Sequence, residues 1–141
     1  MRGLNHAGIT VSDLDESIAF YRDVAGFEVA LRTRTHGDWF DTLTHNSGAE
    51  IEIAMLTLDG FTLQLVEYHR AGGERLALAH HHVGSPHLSI EVDDVDALHV
   101  AVLASGHEEP TPIVDILGSR IRSFYVRDPD GVPVEFIQLH H

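Results

Sequence analysis

The 141-residue chain has no cysteine, few basic residues and no long apolar run. Without cysteine, neither a disulfide framework nor a thiolate site can form, so any metal must be bound by nitrogen and oxygen donors. Nine Lys and Arg against 22 Asp and Glu give a net charge of −13. Such a surface does not suit nucleic acid or anionic lipid, both of which are bound by basic patches. No apolar segment approaches the ~20 residues of a membrane span, and we therefore expect no nucleic-acid and no membrane partner.

The bulk composition is that of a globular chain of ordinary hydrophobicity. Apolar residues make up 43% of the sequence, a typical share for a soluble protein. This length suits one compact domain, or two small fused modules that share a core. The first residues lack the charged-then-apolar pattern of a secretory signal, so we expect a cytoplasmic protein.

The chain contains an internal repeat. Each copy begins with a His that is followed by Ile three residues on, Val five on and Asp seven on, at His6 in the first copy and His87 in the second. Near its end, each copy has an Asp-Gly turn with an oxygen-bearing side chain four residues after the Gly, at Gln64 and at Glu135. A repeat of this length implies two equivalent modules.

Hydrophobic periodicity predicts a βαβββ order in each module. The predicted strands are 3–11, 27–35, 50–58 and 61–68 in the first module and 87–92, 121–127 and 132–139 in the second, and the predicted helices run from an N-cap at Ser12 or Asp13 to about Val24 and from Val95 to Ala104. Residues 39–44 are predicted as a further strand or an ordered loop. The sequence therefore predicts an α+β fold of two paired βαβββ modules, about 1–70 and about 85–141, joined by a linker at about 71–84.

The strand alternation places the candidate ligands away from the helix-packed core. Glu135 alternates with Val134 and Phe136, Gln64 alternates with two Leu neighbours, and His87 opens its strand on the polar face. Two such sheets meeting edge to edge would form a cup. Matched His and matched oxygen donors in the same two repeats predict one metal site in that cup. Its four ligands would be His6, Gln64, His87 and Glu135.

Two imidazoles, one amide oxygen and one carboxylate leave two positions of an octahedral shell open. Such sites suit Zn, Ni, Co, Mn or Fe(II). A small-molecule substrate that chelates through two oxygens would be polarised there, and an enolate or enediolate would be stabilised. A base must move the α-proton. The candidates are Glu135, if it leaves the metal transiently, and then Glu50, Glu52 and His45.

The remaining histidines have a simpler interpretation. Among 12 His residues, the adjacent His80, His81 and His82 are predicted to form a solvated loop, because neighbouring loop residues rarely converge on one ion. His140 and His141 belong either to the native tail or to an added tag.

Seven segments carry a family resemblance. They are Asn5–Val11, Ser17–Tyr21, Gly26–Phe27, Leu63–Tyr68, Pro86–Val92, Asp128–Gly131 and Val134–Ile137. Through them the chain resembles the vicinal oxygen chelate superfamily, which includes glyoxalase I, methylmalonyl-CoA epimerase, extradiol dioxygenases and bleomycin- and fosfomycin-resistance proteins. The resemblance covers 1–141 as a single vicinal-oxygen-chelate domain. It implies two modules that form a cup around one divalent ion, with the same four ligands.

A Gln at the second ligand place resembles methylmalonyl-CoA epimerases and some glyoxalases. The resemblance therefore implies a metal-dependent isomerase, epimerase or lyase, although Ser47 stands near the place where those epimerases carry a second catalytic Glu. Two alternatives stay open: a single-domain Fe(II) extradiol-type dioxygenase, and a non-catalytic protein that binds a small molecule or confers resistance to it. Exposed strand edges of the paired modules predict a homodimer.

Overall fold

The protein is described by a computed structural model that covers residues 1–140, so His141 lies outside the described residues. The chain divides into two compact units, the first spanning Met1–Arg75 and the second beginning at Leu76. The first unit contains β1 (Ala7–Val11), α1 (Leu14–Asp23), β2 (Glu28–His36), α2 (Asp38–Thr44), β3 (Glu50–Leu58) and β4 (Phe61–Arg70). The second contains β5 (Leu88–Glu91), α3 (Val95–Ala104), β6 (Val114–Ile116), β7 (Ile121–Arg127) and β8 (Pro133–Leu139).

The two units have the same strand topology. The first sheet has the order β1-β4-β3-β2 and the second β5-β8-β7-β6. In each, the first strand is parallel to the last and the remaining pairs are antiparallel. Each unit is therefore a βαβββ module, with α2 as an addition in the first, and the α+β fold class predicted from the sequence is confirmed.

Each long helix begins at an aspartate cap. The Asp13 carboxylate accepts a hydrogen bond from the Glu16 backbone N–H at 2.9 Å, and the Asp94 carboxylate accepts one from Ala97 at 2.9 Å. An N-cap side chain satisfies one of the backbone donors that a helix leaves free at its start. Of the two caps considered for α1, the structure selects Asp13.

A side chain from the last strand of each sheet caps the same helix end a second time. Glu67 on β4 accepts a hydrogen bond from Leu14 N–H at 2.8 Å, and Gln138 on β8 accepts one from Val95 N–H at 3.1 Å. The two caps lie at matched places, because each stands three residues after the oxygen donor singled out in its repeat. These contacts fix the helix start to the sheet.

Helix α1 packs on β4 and β3, and α3 packs on β7 and β8. The largest fully buried side chains of the first unit are Leu14, Phe20, Tyr21, Ile51, Leu56, Leu63 and Leu65, and those of the second are Val95, Val102, Phe124, Val126 and Phe136. The helix-facing side of each sheet is therefore its apolar side.

The bounds predicted for β3, α3 and β7 agree with the structure. Residues 39–44 were predicted as a strand or loop, and this is wrong, because they lie within helix α2. The Thr42 and Thr44 hydroxyls donate to carbonyls four residues back, at 2.7 and 2.8 Å, and the Phe40 ring contacts Tyr68 with centroids 6.2 Å apart. These contacts stabilise a short helix that the intrinsic helix propensity of its residues does not favour.

The predicted βαβββ order of the second module requires the short strand β6, but no residues were assigned to it from the sequence. It has three residues and follows a Pro-containing passage, so no periodicity is available to detect it. Its backbone is paired with β7. None of the helices in residues 1–140 has the length and apolar composition needed to span a membrane.

Candidate metal centre

The first half-site consists of His6 and Gln64. In the parallel β1·β4 pair, Gly8 is in register with Gln64, and His6 lies two residues before Gly8, in the segment that leads into β1. Leu63 and Leu65, which flank Gln64, are fully buried, whereas Gln64 is partly exposed. The Gln64 amide therefore lies on the face of the first sheet that points away from α1.

The donors of the first half-site are available for a ligand. The Nδ1 atom of His6 lies 2.6 Å from Asn5 Oδ1, and when that nitrogen carries the proton, Nε2 presents its lone pair. The side-chain amide of Gln64 makes no hydrogen bond within residues 1–140. Opposite it, Gly8 has no side chain, and a Cβ atom there would lie 3.5 Å from Gln64 Oε1.

The second half-site consists of His87 and Glu135 and repeats this register. In the parallel β5·β8 pair, Ser89 is opposite Glu135, and His87 lies two residues before Ser89. Val134 and Phe136 are buried toward α3, whereas Glu135 is partly exposed. Each unit therefore carries a His, a Gly or Ser two residues later, and an oxygen-bearing side chain opposite that Gly or Ser.

Two serines hold the Glu135 carboxylate. The Ser89 hydroxyl donates to Oε2 and the Ser123 hydroxyl to Oε1, each at 2.7 Å. A carboxylate accepts about four hydrogen bonds, so both oxygens keep a lone pair for a metal or a proton. Hydrogen bonds of this kind orient metal-ligating carboxylates in proteins. The contacts of Ser89 and Ser123 with Glu135 were not predicted from the sequence.

Tyr125 is a further residue at the second half-site that the sequence analysis missed. It pairs with Glu135 across β7 and β8, and its ring lies 6.1 Å from His87 and 4.8 Å from His80, centroid to centroid. Burial, and secondarily the charge of Glu135, raise the pKa of Tyr125, so its hydroxyl is neutral at physiological pH. A signal was present: Tyr125 occupies the alternate position of β7 that faces the ligand side.

The three further candidate bases lie in different surroundings. Glu52 shares the helix-facing side of the sheet with Leu63 and Leu65, opposite to the Gln64 side. A hydrogen bond from the Arg32 guanidinium, together with one from His69, holds the pKa of the Glu52 carboxyl below its usual value.

Glu50 and His45 lie at the other end of the first sheet. Glu50 forms an ion pair with Arg34 at 3.2 Å and lines a cleft of about 410 Å³. Its register partner Arg70 is six residues from Gln64 along β4, or ~20 Å at the rise of a strand. His45 ends α2 with a left-handed φ of 52° and is exposed. Glu135 is thus the one candidate base that stands at a half-site within its own unit.

The donors of each half-site are of kinds that bind a divalent metal ion. The first offers an imidazole nitrogen and an amide oxygen that makes no hydrogen bond within residues 1–140, and the second offers an imidazole nitrogen and a carboxylate oriented by two hydrogen bonds. Intermediate N/O donors of this composition suit Zn, Ni, Co, Mn or Fe(II). Each half-site alone supplies two ligands, fewer than the four of a typical structural or catalytic shell.

Comparisons with known proteins agree with this class of fold. A family model described as the glyoxalase/bleomycin resistance protein/dioxygenase superfamily matches residues 3–136. The chain is 32% identical to a lactoylglutathione lyase of Haemophilus influenzae, over 94% of this chain and 90% of the relative. It is 33% identical to a 2-epi-5-epi-valiolone epimerase of Actinomyces sp., over 96% of this chain and 79% of the relative.

Solved structures show the same fold. A glyoxalase family protein from Bacillus cereus superposes with a TM-score of 0.89 at 19% identity, covering 100% of this chain and 96% of that chain. The fosfomycin resistance protein FosX of Listeria monocytogenes, solved in complex with Mn(II) and sulfate, superposes with a TM-score of 0.67 at 20% identity, covering 99% and 94%. This chain therefore belongs to the glyoxalase/bleomycin resistance protein/dioxygenase superfamily, the vicinal oxygen chelate proteins, as the resemblance of its motifs predicted.

Proposed function

We propose that the protein is a divalent-metal-dependent isomerase, epimerase or lyase that removes a proton next to a substrate carbonyl. The observation that carries the proposal is the shared register of the two units, Gly8 opposite Gln64 and Ser89 opposite Glu135, each preceded by a His two residues earlier. Relatives named as a lyase and an epimerase support the reaction class.

The two half-sites together bind one ion, either within one chain or across two chains. The ligands are His6, Gln64, His87 and Glu135. When bound, a divalent ion supplies Lewis-acid polarisation of a coordinated carbonyl. The substrate is a small molecule with two neighbouring oxygens, which suits the positions of the shell that the four ligands leave open.

Glu135 acts as the base that accepts the α-proton. Its carboxylate is held by two hydroxyls, Ser89 and Ser123, at 2.7 Å each, so each oxygen would stay oriented by its own serine both when it held the ion and when it accepted the proton. A positioned carboxylate of this kind contributes about 10²–10⁴-fold to proton transfer. Tyr125 stands opposite Glu135 in the β7·β8 pair and adds no charge beside the carboxylate.

Metal analysis and isotope exchange test the proposal together. Tag-free protein is expected to contain a stoichiometric divalent metal and to incorporate solvent deuterium into a chelating α-hydroxyketone, and a chelator should abolish the exchange. Protein that contains no metal and binds its ligand equally well with chelator would overturn the proposal in favour of a binding protein. Oxygen consumption with a catechol and Fe(II), without exchange, would identify a dioxygenase instead.

We also propose that the protein is a homodimer. Strand β2 is an edge of the first sheet, and its Val29 and Leu31 side chains are 43% and 53% exposed. A long edge strand with exposed apolar side chains favours pairing or cover by another chain. Sedimentation should give a dimer at micromolar concentration, and a stable monomer would contradict this.

A further inference from the structure

Two glutamates face each other on the helix side of the first sheet, away from the half-site. Glu52 on β3 and Glu67 on β4 are directly opposite in the antiparallel pair. Like charges at such a position destabilise a sheet unless a cation lies between them. Their side chains are 21% and 22% exposed, so the pair is neither fully solvated nor sealed from ions.

His69 completes a set of three metal-ligating side chains. It stands two residues after Glu67 and shares its face of β4. Its Nε2 lies 3.0 Å from Glu52 Oε2 and its Nδ1 lies 3.6 Å from Glu67 Oε1. Ligand atoms of the three residues all lie within 4.8 Å of one another, so small side-chain rotations bring them to the ~2.0–2.2 Å of Zn–N and Zn–O bonds.

The carboxylates are oriented by contacts outside the cluster. The second oxygen of Glu52 accepts a hydrogen bond from Arg32 at 2.6 Å, and the second oxygen of Glu67 accepts one from Leu14 N–H at 2.8 Å. In each case the oxygen nearer to His69 keeps its lone pairs. Outer contacts of this kind pre-organise the ligands of protein metal sites.

The local charge balance favours a dication. Arg32 also pairs with Asp15 at 2.6 Å, and Arg34, opposite Glu52 in the β2·β3 pair, pairs with Glu50, so the neighbourhood holds four carboxylates and two guanidinium groups. With a neutral His69 the sum is −2, which one divalent ion cancels.

The second unit shows that the fold does not require this cluster. At the places matched to Glu52 and Glu67 it has Arg122 and Gln138, which are opposite each other in the β7·β8 pair. Arg122 there forms ion pairs with Asp96 and Asp115. The cluster of carboxylates and imidazole is therefore specific to the first unit and is not a by-product of the repeat.

We propose that Glu52, Glu67 and His69 form a second divalent-metal site, separate from the candidate centre and structural in role. Its ligands are one imidazole and two carboxylates, a set suited to Zn²⁺ or Mn²⁺. A metal there ties β3 to β4, and through Glu67 it fixes the start of α1. The proposal does not depend on the proposed reaction.

Zinc titration of the chelator-treated full-length protein tests this site. His69→Gln is the test variant, because it removes the imidazole and leaves both glutamates and the Leu14 contact in place. His81→Gln is the matched control, since it removes an exposed imidazole from the loop tract. Both are measured in the wild-type background and in a His6→Ala, His87→Ala background, which separates this site from the proposed catalytic centre.

The expected result is that His69→Gln loses one zinc-binding event in both backgrounds, or weakens it by more than about tenfold, and that His81→Gln keeps it. The zinc-induced rise in Tm, which measures binding to the folded state, should fall in parallel. The ring ¹⁵N signals of His69 should shift on zinc addition. Equal zinc stoichiometry and equal Tm response in His69→Gln and the parent, with unshifted ring signals, would overturn the proposal and leave His69 as a hydrogen-bonded bridge.

Discussion

The two units share their register but hold their oxygen donors differently. In the first, the Gln64 amide faces Gly8 and is without a hydrogen bond in the described chain. In the second, the Glu135 carboxylate is held by Ser89 and Ser123. The two units therefore share a strand register but differ in the chemistry of the oxygen donor. The Gln64 amide is neutral and makes no hydrogen bond in the described chain, whereas the Glu135 carboxylate is charged and oriented by two hydroxyls.

Under the proposed function, this difference would give the half-sites separate tasks. A neutral amide cannot accept a proton at neutral pH, so Gln64 would serve only as a ligand. A carboxylate held by two hydroxyls would keep its position both as a ligand and as a base, which are the two roles proposed for Glu135. The experiments below exchange or remove the features that distinguish the two units.

The largest effect is expected from exchanging the donors themselves. Glu135→Gln keeps the shape and one carbonyl oxygen but removes the proton acceptor, so deuterium exchange should fall by at least the ~10²–10⁴-fold of a lost general base. Gln64→Glu should bind metal more tightly and lose rate only mildly, because the added negative charge makes the ion a poorer Lewis acid. Wild-type exchange in Glu135→Gln would show that Glu135 is not the base.

Removing the serine contacts should have the next largest effect. Ser89→Ala and Ser123→Ala each free one oxygen of Glu135, and metal affinity should fall by about 10–100-fold, as for other residues that orient a ligand. Gly8→Ser, which places a hydroxyl opposite Gln64 as in the second unit, should change affinity far less, since it alters a ligand that needs no orientation. Equal affinities in Ser89→Ala and the wild type, by titration calorimetry, would show that the contacts do not position the carboxylate.

The two sheet-to-helix caps should contribute similarly to stability. Glu67→Ala and Gln138→Ala each leave a helix N–H without its partner, and each should lower the free energy of unfolding by about 1–2 kcal/mol. Glu91→Ala, an exposed glutamate on β5, is the control. Urea denaturation with a chelator present measures all three. A loss in only one variant would show that the repeat is not energetically symmetric.

The smallest effect concerns an ion pair that ties the second sheet to its helix. The Arg122 guanidinium lowers the pKa of the Asp96 carboxyl. The stabilisation that this ion pair contributes to the folded state is therefore fully present above the ordinary Asp pKa of ~3.9. It is lost as the pH falls through the lower folded-state pKa. Asp96→Asn should lower Tm slightly at neutral pH and not at pH ~2. A Tm difference that is constant with pH would exclude an ionic origin.

Much of the fold was predictable because the repeat can be recognised in the amino-acid sequence. The spacing from His6 to Asp13 recurs from His87 to Asp94, and strong alternation or helical periodicity gave the bounds of β3, α3 and β7. The outward direction of Gln64 and Glu135 followed from the buried neighbours on either side of each residue.

The rest depends on tertiary contacts that one sequence does not express. Helix α2 contains Trp39, Phe40 and two threonines, which favour strands, and it is held by a ring contact with Tyr68. The hydroxyl contacts of Ser123 and the ring position of Tyr125 arise from strand β7 lying beside β8. Periodicity gives the face of a strand but not which neighbour a side chain meets.

Anomalous diffraction from crystals grown with Mn²⁺ tests the central claim most directly. One strong peak is predicted with His6, Gln64, His87 and Glu135 donors at roughly 2.0–2.3 Å, contributed by one chain or by two. A second peak beside His69 would not affect this result. Donor atoms of the four residues more than about 6 Å apart, or a manganese peak that none of them contacts, would contradict the account.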